Sequence, residues 1–526
     1  MKKKFVLPFF LTSLFFGHLS YSQIVKYSFS QEFPTIKKHV DMGFYQFDKN
    51  IFAQTYYRHE EGMVFQIFDE KFNKIKKQEI VRIKQDGYSN EGLFCVKNDF
   101  FWLYSTWKRS EEKEQLWALP LDKQAFKLGE KPIKLSESGK LASQMGYDKY
   151  RFYYSNDSAM MMMTCRLKPK ERRDKINKDV IGFNLYDSQM KTLYSHEIEM
   201  PYTEADMDIL GNEIDSKGNI YLLANVALNN SIDGEKKENK GLYRYDLMRV
   251  NQKTNTMESI KFSLDNKFVN TSILSEDLLG NIIITGYYSN GSGGGIDGAY
   301  ITRIELDEKS AFKKLNTTYC EFPKEVLQAY ESERTKRKMD RRDKKDDLEA
   351  SNLRFRKVIF DSEGGITIIG EEYYVVVHTS TSSNGSTTTS YTYYYDNILV
   401  LKANKNGKTE WCQKIPKYQK GKKDDDLGFF SHSAKGNTYF FYLDNAKNAK
   451  LGLNEMPALH AAGKGGFLTC VKIDGSGQMT KQSVFDTKKE KVKLRPRSFE
   501  TVDRNLVVDR LKEDRKTSKV FRLEVL

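Results

Sequence analysis

Six histidines lie beyond the first 22 residues: His39, His59, His196, His378, His432 and His460. They are scattered without ligand spacing, so no metal centre is expected from them. No H-E-x-x-H, G-x-S-x-G or P-loop pattern occurs, which removes the usual residues for zinc-protease, serine-hydrolase and nucleotide chemistry. "GSGGGIDG" at 291–298 has the glycine density of a dinucleotide loop, but a strand pattern follows it. No helix N-terminus is there to hold a phosphate. Carboxylates are abundant, and a pair facing each other across a channel would suit glycosidic-bond chemistry. "MDILGNEID" offers Asp208 and Glu213, yet nothing in the pattern marks them as a pair. "DMD" at 206–208 and "DDD" at 424–426 lack an EF-hand pattern and read as solvated loops. Cys95, Cys165, Cys320, Cys412 and Cys470 are odd in number, widely spaced and without C-x-x-C, so free thiols are expected. Four of them, all but Cys320, lie in strand-like runs, where cysteine acts as a small buried hydrophobe. The residues therefore predict no cofactor, no metal and no marked catalytic set.

The unusual segment is "EEYYVVVHTSTSSNGSTTTSYTYYYDN", residues 371–397. Asn384-Gly385 suits a two-residue type I′ turn, and both flanks are rich in β-formers. Folding about that turn would place Tyr374 beside Tyr395, Val376 beside Tyr393 and His378 beside Tyr391 on one face. Val375 beside Tyr394 and Val377 beside Thr392 would occupy the other. This gives a projecting hairpin whose candidate binding residues are Tyr374, His378, Tyr391, Tyr393 and Tyr395, tyrosine offering contact area at low entropic cost.

The elements that must carry such an arm repeat along the chain. "DSKGNIYLLAN" at 215–225 is a polar turn running into an apolar strand, and "DLLGNIIITGY", "DSEGGITIIGE" and "SAKGNTYFFYL" repeat it. Asp or Ser bonds the backbone ahead of it, and Gly takes the positive-φ position of the turn. Such turns fall at Lys49, Asn98, Asp157, Gly218, Gly280, Gly364, Gly436 and Arg504, at gaps of 49 to 84 residues. A second hairpin completes each unit, as in "AYITRIELDEKSAFKKLNT" and "GFLTCVKIDGSGQMTKQSV". Two hairpins per period make a four-stranded blade, and the fold expected is all-β: a single propeller of eight blades, with seven as the alternative.

The paired halves resemble the exported β-propeller repeat proteins of bacteria, with units of the form D-x-x-G-N-hydrophobic-G followed by D-x-hydrophobic-K-hydrophobic-D-x-x-G. They are also similar to NHL-type repeats. The resemblance is clearest over residues 209–480, and it implies fold and export without implying a function.

The first 22 residues have a basic start at Lys2 to Lys4, an apolar run from Phe5 to Gly17 and a small-x-small cleavage site at Ser20-Tyr21-Ser22. This reads as a signal peptide, with no following Cys for a lipid anchor and no later transmembrane segment. The propeller then occupies 23–526, and residues 24–31 supply the missing outer strand of the last blade. A charged helical insertion is expected at 321–352. Long segments fall between second and third strands, or between blades, and both connections emerge on one face of the disc. Insertions gathered on one face mark a binding face. The net charge of +14 would suit nucleic acid in an intracellular protein, but export and interleaved acids and bases exclude it. The function expected on this basis is a non-enzymatic periplasmic or secreted propeller that binds a protein or glycan of the cell envelope through that face. The alternative is a hydrolase or lyase acting on polysaccharide, with carboxylates at the same face.

Overall fold

Each repeat folds as an antiparallel sheet because its apolar residues alternate along short strands and its turns are specified by Asp, Asn and Gly. The computed structural model describes residues 23–526 apart from 37–39, 49–50, 59–61, 81–87, 144–148, 171–175, 228–242, 265–266, 292–294, 307–311, 344–348, 425–426, 463–464 and 513–515. The signal-peptide reading, the turn at Lys49 and the loop at 228–240 therefore lie outside the described residues. Among those described there are eight sheets, each built around antiparallel hairpins of consecutive strands. Taken in chain order they are blades 1 to 8. The remaining marked turns join the first and second strands of blades 2 to 8.

The turns work as their composition implies. Asp277 Oδ1 accepts the backbone N–H groups of Leu279 and Asn281, both at 2.9 Å, and Asp361 Oδ1 accepts those of Glu363 and Gly365. Gly280 and Gly364 sit at φ +81° and +83°, a region costly for any side chain.

Eight apolar clusters fill the spaces between neighbouring blades. Phe47 and Phe65 of blade 1 meet Phe100 and Trp102 of blade 2, and so on around the disc. The circle closes where Phe44, Phe68 and Phe72 of blade 1 pack on Leu506, Val508 and Val520 of blade 8. The strand Val25–Phe29 pairs with Thr517–Val525, so the first and last segments share blade 8. The fold is a β-propeller. Among the described residues no helix is long and apolar enough to cross a membrane.

Among the described residues of the segment 321–352 there are two helices, Lys324–Gln328 and Glu333–Asp343. Phe322 and Leu327 anchor it in the cluster between blades 5 and 6. All five cysteines are free, and Cys320 also lies on a strand, Phe312–Glu321.

The register of the long hairpin differs from the sequence expectation. Its strands are Ile366–Thr381 and Thr387–Ala403. Tyr374 lies opposite Tyr394, Val375 opposite Tyr393, Val377 opposite Tyr391 and His378 opposite Ser390. The cause is the turn. Gly385 N–H donates to Ser382 O and Ser382 N–H to Ser386 O, with Gly385 alone at positive φ (+79°). This is a type I turn closed by a glycine bulge, one residue longer than the two-residue turn. One residue of slip exchanges faces. Tyr373, Val375, Val377 and Thr379 therefore share a face with Tyr395, Tyr393, Tyr391 and Thr389, while Tyr374 and His378 lie on the other.

Candidate functional site

The root of that hairpin carries a cluster of charged and phenolic groups at the face bearing the insertions. Four elements build it. The innermost strand of blade 6, Leu353–Phe360, brings Arg354 and Arg356. The hairpin brings Glu371, Tyr373 and Tyr395. The connection from blade 6 to blade 7 brings Lys417 and Asp424, and the connection into blade 8 brings Arg497.

Tyr373 and Tyr395 are directly opposed, their rings edge to face with centroids 4.8 Å apart. Both hydroxyls turn to Asp424 Oδ1, that of Tyr373 at 3.5 Å. Arg497 Nη1 donates to the Tyr395 hydroxyl at 3.0 Å and to Asp424 Oδ2 at 3.2 Å. The Arg354 guanidinium lies 3.9 Å from the centroid of the Tyr373 ring. Among the described residues it makes no ion pair, and it is exposed. Arg497 and Asp424 are each 40% exposed, whereas Tyr395 is buried at 2%. The outer layer is thus Arg354, Tyr373, Asp424 and Arg497.

Beneath it lies a buried ionic layer. Glu371 pairs with Arg356 at 2.8 Å and with Lys417 at 2.9 Å, and Lys417 also donates to the Tyr395 carbonyl at 2.8 Å. Removing either cation would leave a buried carboxylate short of a partner, which is costly. These bonds fix the backbone that carries Tyr395. A short strand, Gln419–Gly421, pairs with residues 393–395 and, in parallel, with His460–Ala461, so the hairpin root is braced from its open edge.

Burial pushes the Tyr395 hydroxyl well above its ordinary range, and its bond to Asp424 adds to the shift. Burial likewise raises Tyr373, opposed by Arg354. For Asp424 burial acts upward, but bonds from Tyr395 and Arg497 outweigh it and hold the carboxyl low. At neutral pH the arrangement is two protonated phenols facing one carboxylate among guanidinium groups. It can bind an anion and move a proton.

The sequence candidates divide across this site. Tyr395 is in it, and Tyr393 and Tyr391 continue outward from it on the same face. Tyr374 is on the opposite face, stacked on Tyr394 at 4.6 Å and 8°. His378 is exposed there. His432 bridges blades 7 and 8 through Arg504 O at 2.8 Å, and His460 is buried beside Lys417, its pKa lowered to about 4 chiefly by burial. Asp208 is exposed, and Glu213 lies near the turn side of blade 4, away from this face. Arg354, Tyr373 and Arg497 were missed, and Asp424 was read only as part of a solvated loop, whereas it is held by Tyr395 and Arg497. Asp424 and Arg497 sit in charged connections that only the closed ring brings to the hairpin. Tyr373 was passed over because the expected register gave its place to Tyr374.

No family model and no curated protein matches the chain. Among solved structures it is similar to a prolyl endopeptidase at 8% identity and a TM-score of 0.37, covering 96% of this chain and 55% of the other. It is similar to the acylaminoacyl peptidase of Pyrococcus horikoshii at 12% identity and 0.32, covering 90% and 58%. It is also similar to the polysaccharide lyase Uly1 at 10% identity and 0.33, covering 90% and 94%. The chain spans just over half the length of the peptidases. Likeness at this level concerns architecture alone. The expectation of a non-enzymatic binding scaffold is nonetheless corrected. The inserted face gathers proton-transfer groups around a carboxylate where a scaffold would present plain contact surface.

Proposed function

We propose that the chain is a β-propeller lyase that cleaves a uronate-containing polysaccharide by β-elimination at the hairpin root, outside the cytoplasm if residues 1–22 direct export. The observation that carries this reading is Tyr373, its hydroxyl facing Asp424 and its ring under the Arg354 guanidinium. In such an elimination a base removes the proton on C5, next to the uronate carboxylate. The C4–oxygen bond breaks, and the leaving oxygen takes a proton. No water or cofactor enters, and the products are an unsaturated uronyl end and a new reducing end.

Arg354 and Arg497 suit the uronate carboxylate, since planar guanidinium groups match it and stabilise the charge that grows on it as C5 loses its proton. Asp424, ionised at neutral pH, takes the C5 proton, and Tyr373, protonated there, gives its phenolic proton to the leaving oxygen. Tyr373 then regains a proton from Asp424 across the contact between them. The buried Tyr395 holds Asp424 and Arg497 in place.

The test is incubation with polygalacturonate, alginate and hyaluronan, following the ultraviolet absorbance of unsaturated uronyl ends. Absorbance should rise with at least one of them. Tyr373→Phe should lower the rate about 100-fold or more, as loss of a general base or acid does. Reducing ends appearing without the absorbance would overturn elimination, and no cleavage of any uronate polymer would overturn the reading as a whole.

A further inference from the structure

The face of the hairpin that begins at Tyr373 does not end at the site. Strand alternation places Tyr395, Tyr393 and Tyr391 on one side, opposite Tyr373, Val375 and Val377, with Thr379 and Thr389 beyond. Exposure increases outward along this stripe: Tyr395 is buried, Tyr393 half-buried, Tyr391 49% exposed and Val377 55% exposed. From residue 377 to 391 every side chain is exposed, so the arm stands clear of its blade. Large apolar side chains held in solvent on a two-stranded ribbon cost free energy unless something covers them.

We infer that Tyr393 and Tyr391, with Val375 and Val377, form a track of sugar-binding positions along which the polysaccharide extends from the cleavage site. This inference rests on the lyase reading for the identity of the chain. Its occupant is set by continuity, because the first ring pair of the stripe is the Tyr373–Tyr395 pair of the site itself. Two strand residues rise by about 6.6–6.8 Å, so successive tyrosines are spaced on the scale of one pyranose unit. A tyrosine ring offers a flat apolar face to the C–H side of a sugar and a hydroxyl at its rim. The strip beyond, Thr379, Thr381, Thr387 and Thr389, offers hydroxyl groups. Cation contacts are absent from the described outer part of the stripe, so binding there should depend little on salt, unlike binding at Arg354 and Arg497.

The experiment measures binding apart from turnover. Tyr373→Phe protein is run in native gels cast with polygalacturonate, alginate or hyaluronan, alone and with Tyr391→Ala and Tyr393→Ala added. Retardation by at least one polymer is expected, and the two added substitutions should weaken it about ten-fold, equally at low and high salt. His378→Ala, on the opposite face, should leave it unchanged. In the active protein, Tyr391→Ala with Tyr393→Ala should raise KM for long polymer without lowering kcat and spare the smallest cleavable oligosaccharide. Retardation that survives the double substitution, or falls equally with His378→Ala, overturns the track. Retardation that depends on Tyr391 and Tyr393 with no unsaturated ends from any polymer supports the track and rejects the lyase chemistry alone.

Discussion

Glu213 shows how one side chain in a propeller can set a pH limit without touching substrate. It sits at the end of the innermost strand of blade 4, and burial lifts its pKa from an ordinary 4.5 to about 8, with the neighbouring Glu276 adding to the shift. Glu276 is committed elsewhere, accepting the backbone and side chain of Ser216. The folded state therefore holds the Glu213 proton more tightly than the unfolded chain does. Its contribution is fully present below about 4.5 and is lost as pH rises through about 8. Glu213→Gln should flatten the fall in stability across that window, leaving Tm near pH 4.5 unchanged and raising it by about 1–2 °C at pH 9. Melting curves at the two pH values check this, and equal Tm for both proteins at pH 9 would remove Glu213 from the account. Neither this shift nor its partner was legible in the sequence. Glu213 and Glu276 stand 63 positions apart and meet only because adjacent blades place equivalent strand ends together. The repeated strand glycine, by contrast, was legible as a motif but not as a cause. A Cβ on Gly286 would fall 1.8 Å from the carbonyl oxygen of Thr271, where the innermost strand of blade 5 bulges toward it.

The hairpin arm is separable from the blade that carries it. Its strands continue the second and third strands of blade 6, yet none of the residues 377–391 is buried. What holds the root is the Tyr374–Tyr394 stack, the Tyr373–Tyr395 pair and the brace from Gln419–Gly421. Cross-strand aromatic pairs contribute about 0.2–1 kcal/mol each, enough to keep the root ordered after the tip is removed. Replacing 377–391 by Asn-Gly should leave Tm within about 2 °C of the intact protein. It should also weaken retardation by uronate polymer, though less than the double tyrosine substitution does, because Tyr391 is lost while Tyr393 stays on the root. A fall in Tm well beyond that range would mean the arm packs on the disc. Element type was readable here from the tyrosine- and threonine-rich flanks. Register was not, because Asn384-Gly385 suits both the two-residue turn and the longer turn closed by a glycine bulge, and the residues around it are too uniform to choose. The brace was also invisible, since "YQKG" at 418–421 carries no strand pattern and pairs only because the neighbouring connections are long.

At the scale of the whole molecule, the site exists only in the closed ring. Arg354 and Tyr373 come from blade 6, while Arg497 reaches them from the segment entering blade 8. That segment is held by Leu494 and Phe499, buried in the cluster between blades 7 and 8. The same cluster contains Ile24 and Val25, whose backbone N–H groups both donate to Gln482 Oε1 at 2.8 and 3.0 Å. Val25–Phe29 also covers the outer edge of the strand Thr517–Val525, which would otherwise present unpaired backbone groups. Closure was foreseeable because the last unit is one strand short and "IVKYSFSQ" has the alternation to supply it. Deleting residues 24–31 should therefore lower Tm by about 5 °C or more, or cause aggregation through the bared edge. It should weaken uronate binding in step, because Arg497 loses its support, whereas the arm's own tyrosines remain folded on blade 6. Scanning calorimetry and light scattering, with the native-gel assay alongside, separate these effects. A truncated protein that melts like the intact one, stays monodisperse and binds unchanged would show that blade 8 holds its shape, and Arg497 its place, without the N-terminal strand.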